Sequence, residues 1–238
     1  MDFSRFDAFT FDCYGTLIDW EAGILGALRP LLGAHAWSGT DEEALELFGA
    51  VESLVQAERY RPYAQVLRLC VDRIASRIGF EATEGERESL LRSLGAWPVF
   101  PDTVAALTAL KARFRLAVVS NIDDDLFALS ARHLEVEMDE VVTARQVGSY
   151  KPAPAHFHTV AARLGVPRDR ILHVAQSLFH DVAPARELGL STVWVNRRAG
   201  RPGFGATPPS EAVPDLEVPD LATLATLVAG ESKSPGPD

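Results

Sequence analysis

Four stretches of the chain put ionisable or hydrogen-bonding groups directly after apolar, strand-like runs: Asp12 in "FTFDCYGTLIDWE", Ser120 and Asn121 in "LAVVSN", Lys151 in "SYKPAP" and Asp181 in "AQSLFHD". Singly, each has an ordinary reading. Asp12 would be a turn or N-cap residue, Ser120-Asn121 a cap for a helix beginning near Asp123, and Lys151 a surface cation. Together they supply a carboxylate, a hydroxyl–amide pair, an ammonium and a second carboxylate. An ammonium beside carboxylates keeps them ionised and oriented. Two positions after Asp12 stands Tyr14, whose phenol, with an ordinary pKa of about 10, is a poor proton shuttle at neutral pH.

These groups need a scaffold that brings them to one place. Short β-rich runs recur at Phe6–Phe11, Arg115–Val119, Glu140–Thr143, Ile171–Ala175 and Thr192–Val195. Most are apolar on both parities, as in strands covered on both faces. Helical patterns lie between them at Thr103–Arg113, Asp124–His133, Pro154–Leu164 and Val182–Leu188. Alternation of this length predicts an α/β fold, a Rossmann-like doubly wound parallel sheet. In such sheets ligands bind outside the carboxyl ends of the strands, where all four polar motifs fall.

From Glu21 to Leu94 the alternation stops and only helical periodicity remains, clearest at Asp41–Tyr60, Ala64–Ile78 and Glu84–Leu94. Thr40 to Glu43 form a capping-box start, Gly79 and Gly95 are stops, and "GAWPVFPD" is the return linker. The expected arrangement is an all-helical cap domain, residues 19–97, inserted after the first strand of a core made of residues 1–18 and 98–230. Residues 197–215, rich in Gly, Pro and Arg, are expected as a surface loop, "LEVPDLATLATL" as a last strand and helix, and 231–238 as a disordered tail.

Over 238 residues the formal charge is −10, which argues against a nucleic-acid footprint. There is no signal-peptide pattern and no apolar run long enough for a membrane span, so no membrane association is expected. Two cysteines in apolar segments imply no disulfide framework and point to a reducing cytoplasm. A small-molecule substrate is the expected partner, and a homodimer stays open. His156 and His158, two apart on a helix, share no face and form no metal pair.

The four motifs, "DCYGTLID", "VVSN", "YKPAP" and "AQSLFHD", resemble those of the haloacid dehalogenase (HAD) superfamily, and the helical insert sits where that family places its cap. The resemblance spans most of the chain. It implies the HAD fold and makes Asp12 a covalent nucleophile that attacks an sp³ carbon, expels a leaving group and forms an ester that water hydrolyses. Phosphatases of the family carry a second Asp where Tyr14 stands, because an alkoxide must be protonated as it leaves. A halide needs no proton. "DCYGT" therefore resembles the type II L-2-haloacid dehalogenase pattern. Gln176 replaces an acidic residue that family phosphatases use for Mg²⁺, so no cofactor is expected and Mg²⁺ is disfavoured.

On this reading Asp12, Thr16, Ser120, Asn121, Lys151 and Asp181 are the expected catalytic set. Lys151 holds the carboxylates, Asp181 orients Lys151 or the hydrolytic water, and Thr16, Ser120 and Asn121 donate to a carboxylate or a departing anion. Expected substrate contacts are Tyr14, Ser177, Phe179, His180 (also a second candidate base), the backbone N–H of Cys13 and, from the insert, Arg61. The family's carboxylate-gripping arginine, close behind the first motif, is missing, and Arg61 in "AERYRPYAQVLR" is the candidate to replace it. The activity implied is displacement of halide from the α-carbon of a 2-haloacid. The alternatives are opening of a strained cyclic amine by the same Asp12, or a non-catalytic anion-binding protein, with a phosphatase behind both.

Overall fold

The computed structural model describes residues 1–231, so all of the tail expectation beyond Glu231 lies outside the described residues. Glu231 itself is engaged, its Oε2 accepting from the Phe3 N–H at 2.7 Å. The apolar runs form strands β1 (Ala8–Phe11), β2 (Arg115–Ser120), β3 (Glu140–Thr143), β4 (Ile171–Ala175), β5 (Ser191–Val195) and β6 (Leu216–Val218). All pair in parallel, in the order β3-β2-β1-β4-β5-β6. β1 sits at the centre, with Phe11 aligned to Val118 on one side and Val174 on the other.

Both faces of the sheet are covered, which is why the strands are apolar on both parities. Ala8, Ala117, Val119, Val142 and Ile171 pack one face under Phe157, Val160 and Leu164. Phe9, Phe11, Leu116, Val118, Leu172 and Val174 pack the other. The chain leaves β1 toward β2 and β3 and leaves β4 toward β5 and β6, so the crevice where the winding reverses opens between β1 and β4.

Between β1 and β2 come helices α1 (Trp20–Ala34), α2 (Asp41–Ala57), α3 (Tyr63–Ile78), α4 (Glu84–Arg87) and α5 (Ser89–Ser93). The helix α2 starts at the expected capping box, with Thr40 N–H donating to Glu43 Oε2 at 2.7 Å and Glu43 N–H to Thr40 Oγ1 at 3.2 Å. Gly79 ends α3 at φ +98°. The single helix expected over Glu84–Leu94 is instead two short ones and a 3₁₀ turn, Leu94–Ala96, that runs through Gly95. Gly95 lies inside that turn, and its carbonyl accepts from His133 Nε2 at 3.0 Å.

The rest of the chain adds α6 (Thr103–Lys111), α7 (Asp124–Ala131), α8 (Ala144–Val147), α9 (Ala155–Leu164), α10 (Ala183–Glu187) and α11 (Leu221–Gly230). Before α10 a π-turn, Leu178–Val182, occupies what reads in sequence as loop. The segment 197–215 is more than a surface loop. Arg198 bridges Glu21 at the start of α1 and Glu42 at the start of α2, Ala206 is buried, and Gly49 of α2 lies against the Ala206 backbone so closely that a Cβ would overlap its carbonyl oxygen.

Candidate active site

The turn after β1 fixes the first carboxylate. Asp12 N–H donates to Val174 O at 3.1 Å, extending the ladder by one rung before the chain reverses. Gly15 makes the reversal at φ +96°, where a Cβ would also meet Trp20 Nε1 and Gln176 Oε1. The Asp12 side chain is then held from both oxygens: Lys151 Nζ donates to Oδ1 at 2.9 Å and Thr16 Oγ1 to Oδ2 at 2.9 Å. Thr16 is itself positioned by accepting from Gln176 N–H at 2.9 Å.

Lys151 is fully used. Its ammonium donates to Asp12, to Asp181 Oδ1 at 2.6 Å and to Val119 O at 3.0 Å, which accounts for all three hydrogens. Behind Asp181, His173 Nε2 lies 3.0 Å from the same Oδ1, and His173 Nδ1 lies 2.9 Å from Thr10 Oγ1. With Nε2 the donor, the Thr10 hydroxyl donates to Nδ1, and a line of hydrogen bonds runs from inside β1, across β4, to Asp12. Thr10 and His173 are register partners in the ladder. Neither stands out in the sequence, since each is one polar residue within an apolar strand.

These groups lie in a dry environment, which sets their electrostatics. Burial pushes Asp12 above the ordinary carboxylate range, the charge of Lys151 pulls it down, and the nearby Asp181 charge raises it. Asp181 is buried too, but Lys151 and His173 hold it below that range. Lys151 is raised, its two carboxylates outweighing burial. Asp181 is therefore the firmer anion of the two.

Asn121 and Ser120 follow β2. Asn121 clamps the Lys151 backbone, accepting from its N–H at 2.7 Å and donating to its carbonyl at 3.1 Å. The Ser120 hydroxyl lines the pocket, buried, with no partner among the described residues. Tyr14 also lines it; its phenol shares a 2.8 Å hydrogen bond with Ser130, and burial pushes it well above its ordinary pKa. The backbone N–H groups of Cys13, Tyr14 and Asn121 make no hydrogen bond among the described residues. The Cys13 thiol faces the core.

The other expected contacts divide. Ser177 and His180 line the same pocket, and Ser177 Oγ accepts from His180 N–H at 2.9 Å. Burial pushes His180 down to about 4, so it is neutral at pH 7. Phe179 faces away, into a neighbouring groove with Tyr60 and Tyr150, because the π-turn rotates it off the pocket wall. Arg61 does not reach the pocket either. It pairs with Glu58 at 2.8 Å, and its carbonyl accepts from Tyr150 at 2.7 Å, which fixes that corner of the insert away from the pocket lining.

What the insert does place over Asp12 is Glu52, Gln56, Tyr63 and Trp20, with Thr207 from the 197–215 segment, closing a cavity of about 40 Å³. Glu52 is 3% exposed and accepts from the Tyr63 hydroxyl at 2.5 Å. Burial raises its carboxyl to about 7 against the pull of that hydrogen bond. Gln56, one turn on, accepts from Asn121 Nδ2 at 3.3 Å and joins roof to floor. Glu52 carried a signal: it falls on the buried stripe of α2 with Leu45, Phe48 and Val55, where an acid is out of place.

The donor set is a poor match to Mg²⁺. Gln176 stands where a carboxylate would be needed, its Oε1 accepts from Thr207, and the Asp181 oxygen nearest the floor is taken by Lys151 and His173.

A parallel sheet with a buried carboxylate on the turn after its central strand, and a lysine bridging that carboxylate to a second one, is the arrangement to compare with known hydrolases. A family profile described as "Hydrolase: haloacid dehalogenase-like hydrolase" matches residues 6–189. The chain belongs to that family. The (S)-2-haloacid dehalogenase 4A of Burkholderia cepacia is 25% identical over 233 residues, 93% of this chain and 97% of its own. The phosphoserine phosphatase of Thermus thermophilus is 31% identical over 184 residues, 75% of this chain and 72% of its own. The L-2-haloacid dehalogenase from Xanthobacter autotrophicus superposes with a TM-score of 0.78 at 23% identity, over 95% of this chain and 100% of its own.

Proposed function

We propose that the protein is a covalent hydrolase in which Asp12 displaces a leaving group from the α-carbon of a small carboxylic acid, most simply halide from a 2-haloacid. The observation that carries this reading is the floor itself: Asp12 is held by Lys151 and Thr16, while the position two residues on offers a phenol tied to Ser130 instead of an acid. Asp12 attacks the carbon in line, the C–halogen bond breaks with its electron pair leaving on the halide, and an ester forms. Water then attacks the ester carbonyl, returning the Asp12 carboxylate and a hydroxy acid. The Burkholderia relative, matched over nearly its full length, supports the substrate class. Lys151 has no hydrogen left for the substrate carboxylate, so its donors are the Ser120 hydroxyl and the unpaired N–H groups of Cys13, Tyr14 and Asn121.

The test is turnover of 2-chloropropionate in ¹⁸O-labelled water. Label should enter the Asp12 carboxylate over repeated turnovers, and Asp12→Asn should release no halide. Unlabelled Asp12 alongside active turnover sinks the covalent mechanism. Hydrolysis of phosphate esters that depends on added Mg²⁺, without halide release, sinks the substrate class.

A further inference from the structure

The cavity over Asp12 is small for the substrates proposed for it. Its volume of about 40 Å³ takes about three water molecules, and every 2-haloacid has more non-hydrogen atoms than that. A wall has to give when substrate enters. Asp12 and Lys151 are fixed by hydrogen bonds of 2.6 to 3.1 Å. The Gln56 side chain is held more slackly, its one hydrogen bond among the described residues being the 3.3 Å contact from Asn121 Nδ2.

Behind Gln56 the lining continues into the groove that receives Phe179. This groove, about 430 Å³ in volume, runs between the C-terminal end of α2 and the turn 148–153 of the core. Gln56, His180 and Lys151 line both spaces, so groove and cavity share a wall. The sides of the groove are aromatic, with Tyr60 and Tyr150 at 5.5 Å between ring centres and Phe179 from the π-turn. Among them the hydroxyls of Ser53, Tyr60 and Ser149 are buried and make no hydrogen bond among the described residues. Buried hydroxyls are as a rule satisfied, and three orphans in one hollow point to a ligand that brings a hydrogen-bonding group of its own. Ser53 stands three residues before Gln56 on α2, hence on the same face, where it can take the Gln56 amide once Asn121 is released.

We propose that the groove is a side-chain subsite of the catalytic pocket, and that the substrate is a carboxylic acid with a hydroxyaryl group on its α-carbon. The α-carbon lies over Asp12, the substituent passes Gln56, and the ring lodges among Tyr60, Tyr150 and Phe179. Aromatic walls favour a flat ring through edge and offset contacts, and the ring's hydroxyl partners those of the wall. The subsite rests on the covalent role of Asp12, which places the α-carbon, and leaves the bond-making steps there as they stand.

The experiment is calorimetric binding to the Asp12→Asn protein of three acids: propionate, 3-phenylpropionate and 3-(4-hydroxyphenyl)propionate. The phenyl acid should bind at least about tenfold tighter than propionate, and the hydroxyphenyl acid about fivefold tighter again. Phe179→Ala should take back most of the advantage of the ring, and Tyr60→Phe only that of the hydroxyl. Gln56→Ala, which lowers the shared wall, should widen the advantage of the ring. Tyr60→Phe keeps an aromatic side in place and reads out the hydroxyls even where the Phe179 variant folds poorly. Equal binding of the three acids, which would leave the wall hydroxyls to water alone, overturns the proposal. So does no binding of any, or affinity ratios that none of the substitutions moves. Halide release from 2-chloropropionate by the wild-type protein, with ¹⁸O in Asp12, alongside equal binding would show the covalent reading standing when the subsite has failed.

Discussion

The floor and the roof of the pocket are built on opposite plans. On the floor every charged group is paired: Lys151 bridges Asp12 and Asp181, His173 backs Asp181, Thr16 fixes Asp12 and Asn121 clamps the lysine's backbone. On the roof Glu52 has, among the described residues, one partner and no counter-charge. A compensated network rigidifies a reacting group, whereas an uncompensated buried acid stores unfavourable energy. The floor is thus suited to chemistry common to many substrates, and the roof to choosing among them.

The sharpest way to break this contrast is to remove the floor's cation. Lys151→Met leaves two buried carboxylates facing each other, and the loss should be about 3–5 kcal/mol of stability, with Asp12 esterification slowed by at least ~10²-fold. Urea melts and rapid-quench labelling measure the two, and an unchanged midpoint would show that the floor is not a compensated network. Next in size is Glu52→Gln. An unfolded Glu ionises near 4.5 and the folded one near 7. Between those values the unfolded chain has lost the proton that the folded chain keeps, so stability falls as pH rises. The loss amounts to about 3 kcal/mol by pH 7 and persists above it. The Gln variant should lack that decline, so melts at pH 5 and pH 8 should diverge for the parent and not for the variant.

Gly49→Ala probes what holds the roof down. The added methyl overlaps the Ala206 carbonyl, a backbone atom that cannot swing aside, and about 1–3 kcal/mol should be lost. The segment around Thr207 should then become accessible to protease first. Asn121→Ala deletes two bonds to the Lys151 backbone and should cost about 1–2 kcal/mol, with kcat falling more than KM rises. Arg61→Gln closes the series. Its partner Glu58 is already held by Arg73, so stability should move by under about 0.5 kcal/mol and KM hardly at all. A large rise in KM would mean that the roof grips substrate through Arg61 after all.

The same division governs what could be read from the chain. Floor residues follow strands, and a polar residue directly after an apolar run is visible without knowing the fold. Asp12, Asn121, Lys151 and Asp181 therefore come together where the parallel sheet predicts. Sheet order and the Thr10–His173 pair depend on which strands become neighbours, and no local pattern encodes that. Roof residues sit in mid-helix, where direction depends on how α2 and α3 settle over the sheet. Charge alone points to Arg61, but Glu58 takes its guanidinium and Tyr150 holds its carbonyl. Phe179 lies in a π-turn, which shifts side chains relative to an α-helical or loop reading. The broken helix at Glu84–Leu94 shows the limit of stop signals, since the turn Leu94–Ala96 runs through Gly95.

The line from Thr10 through His173 to Asp181 and Lys151 also has a consequence for divergence among relatives. Two of its members lie inside central strands, with His173 set edge-on to Phe157 at 5.1 Å. Retuning Asp12 through that line would mean repacking the hydrophobic interior, so its inheritance is tied to that of the fold. Glu52 and Gln56 stand one helical turn apart on a single element and can be exchanged without disturbing a strand. Over evolutionary time a lineage built on this plan can wander in what it consumes while the way it makes and breaks the bond stays fixed.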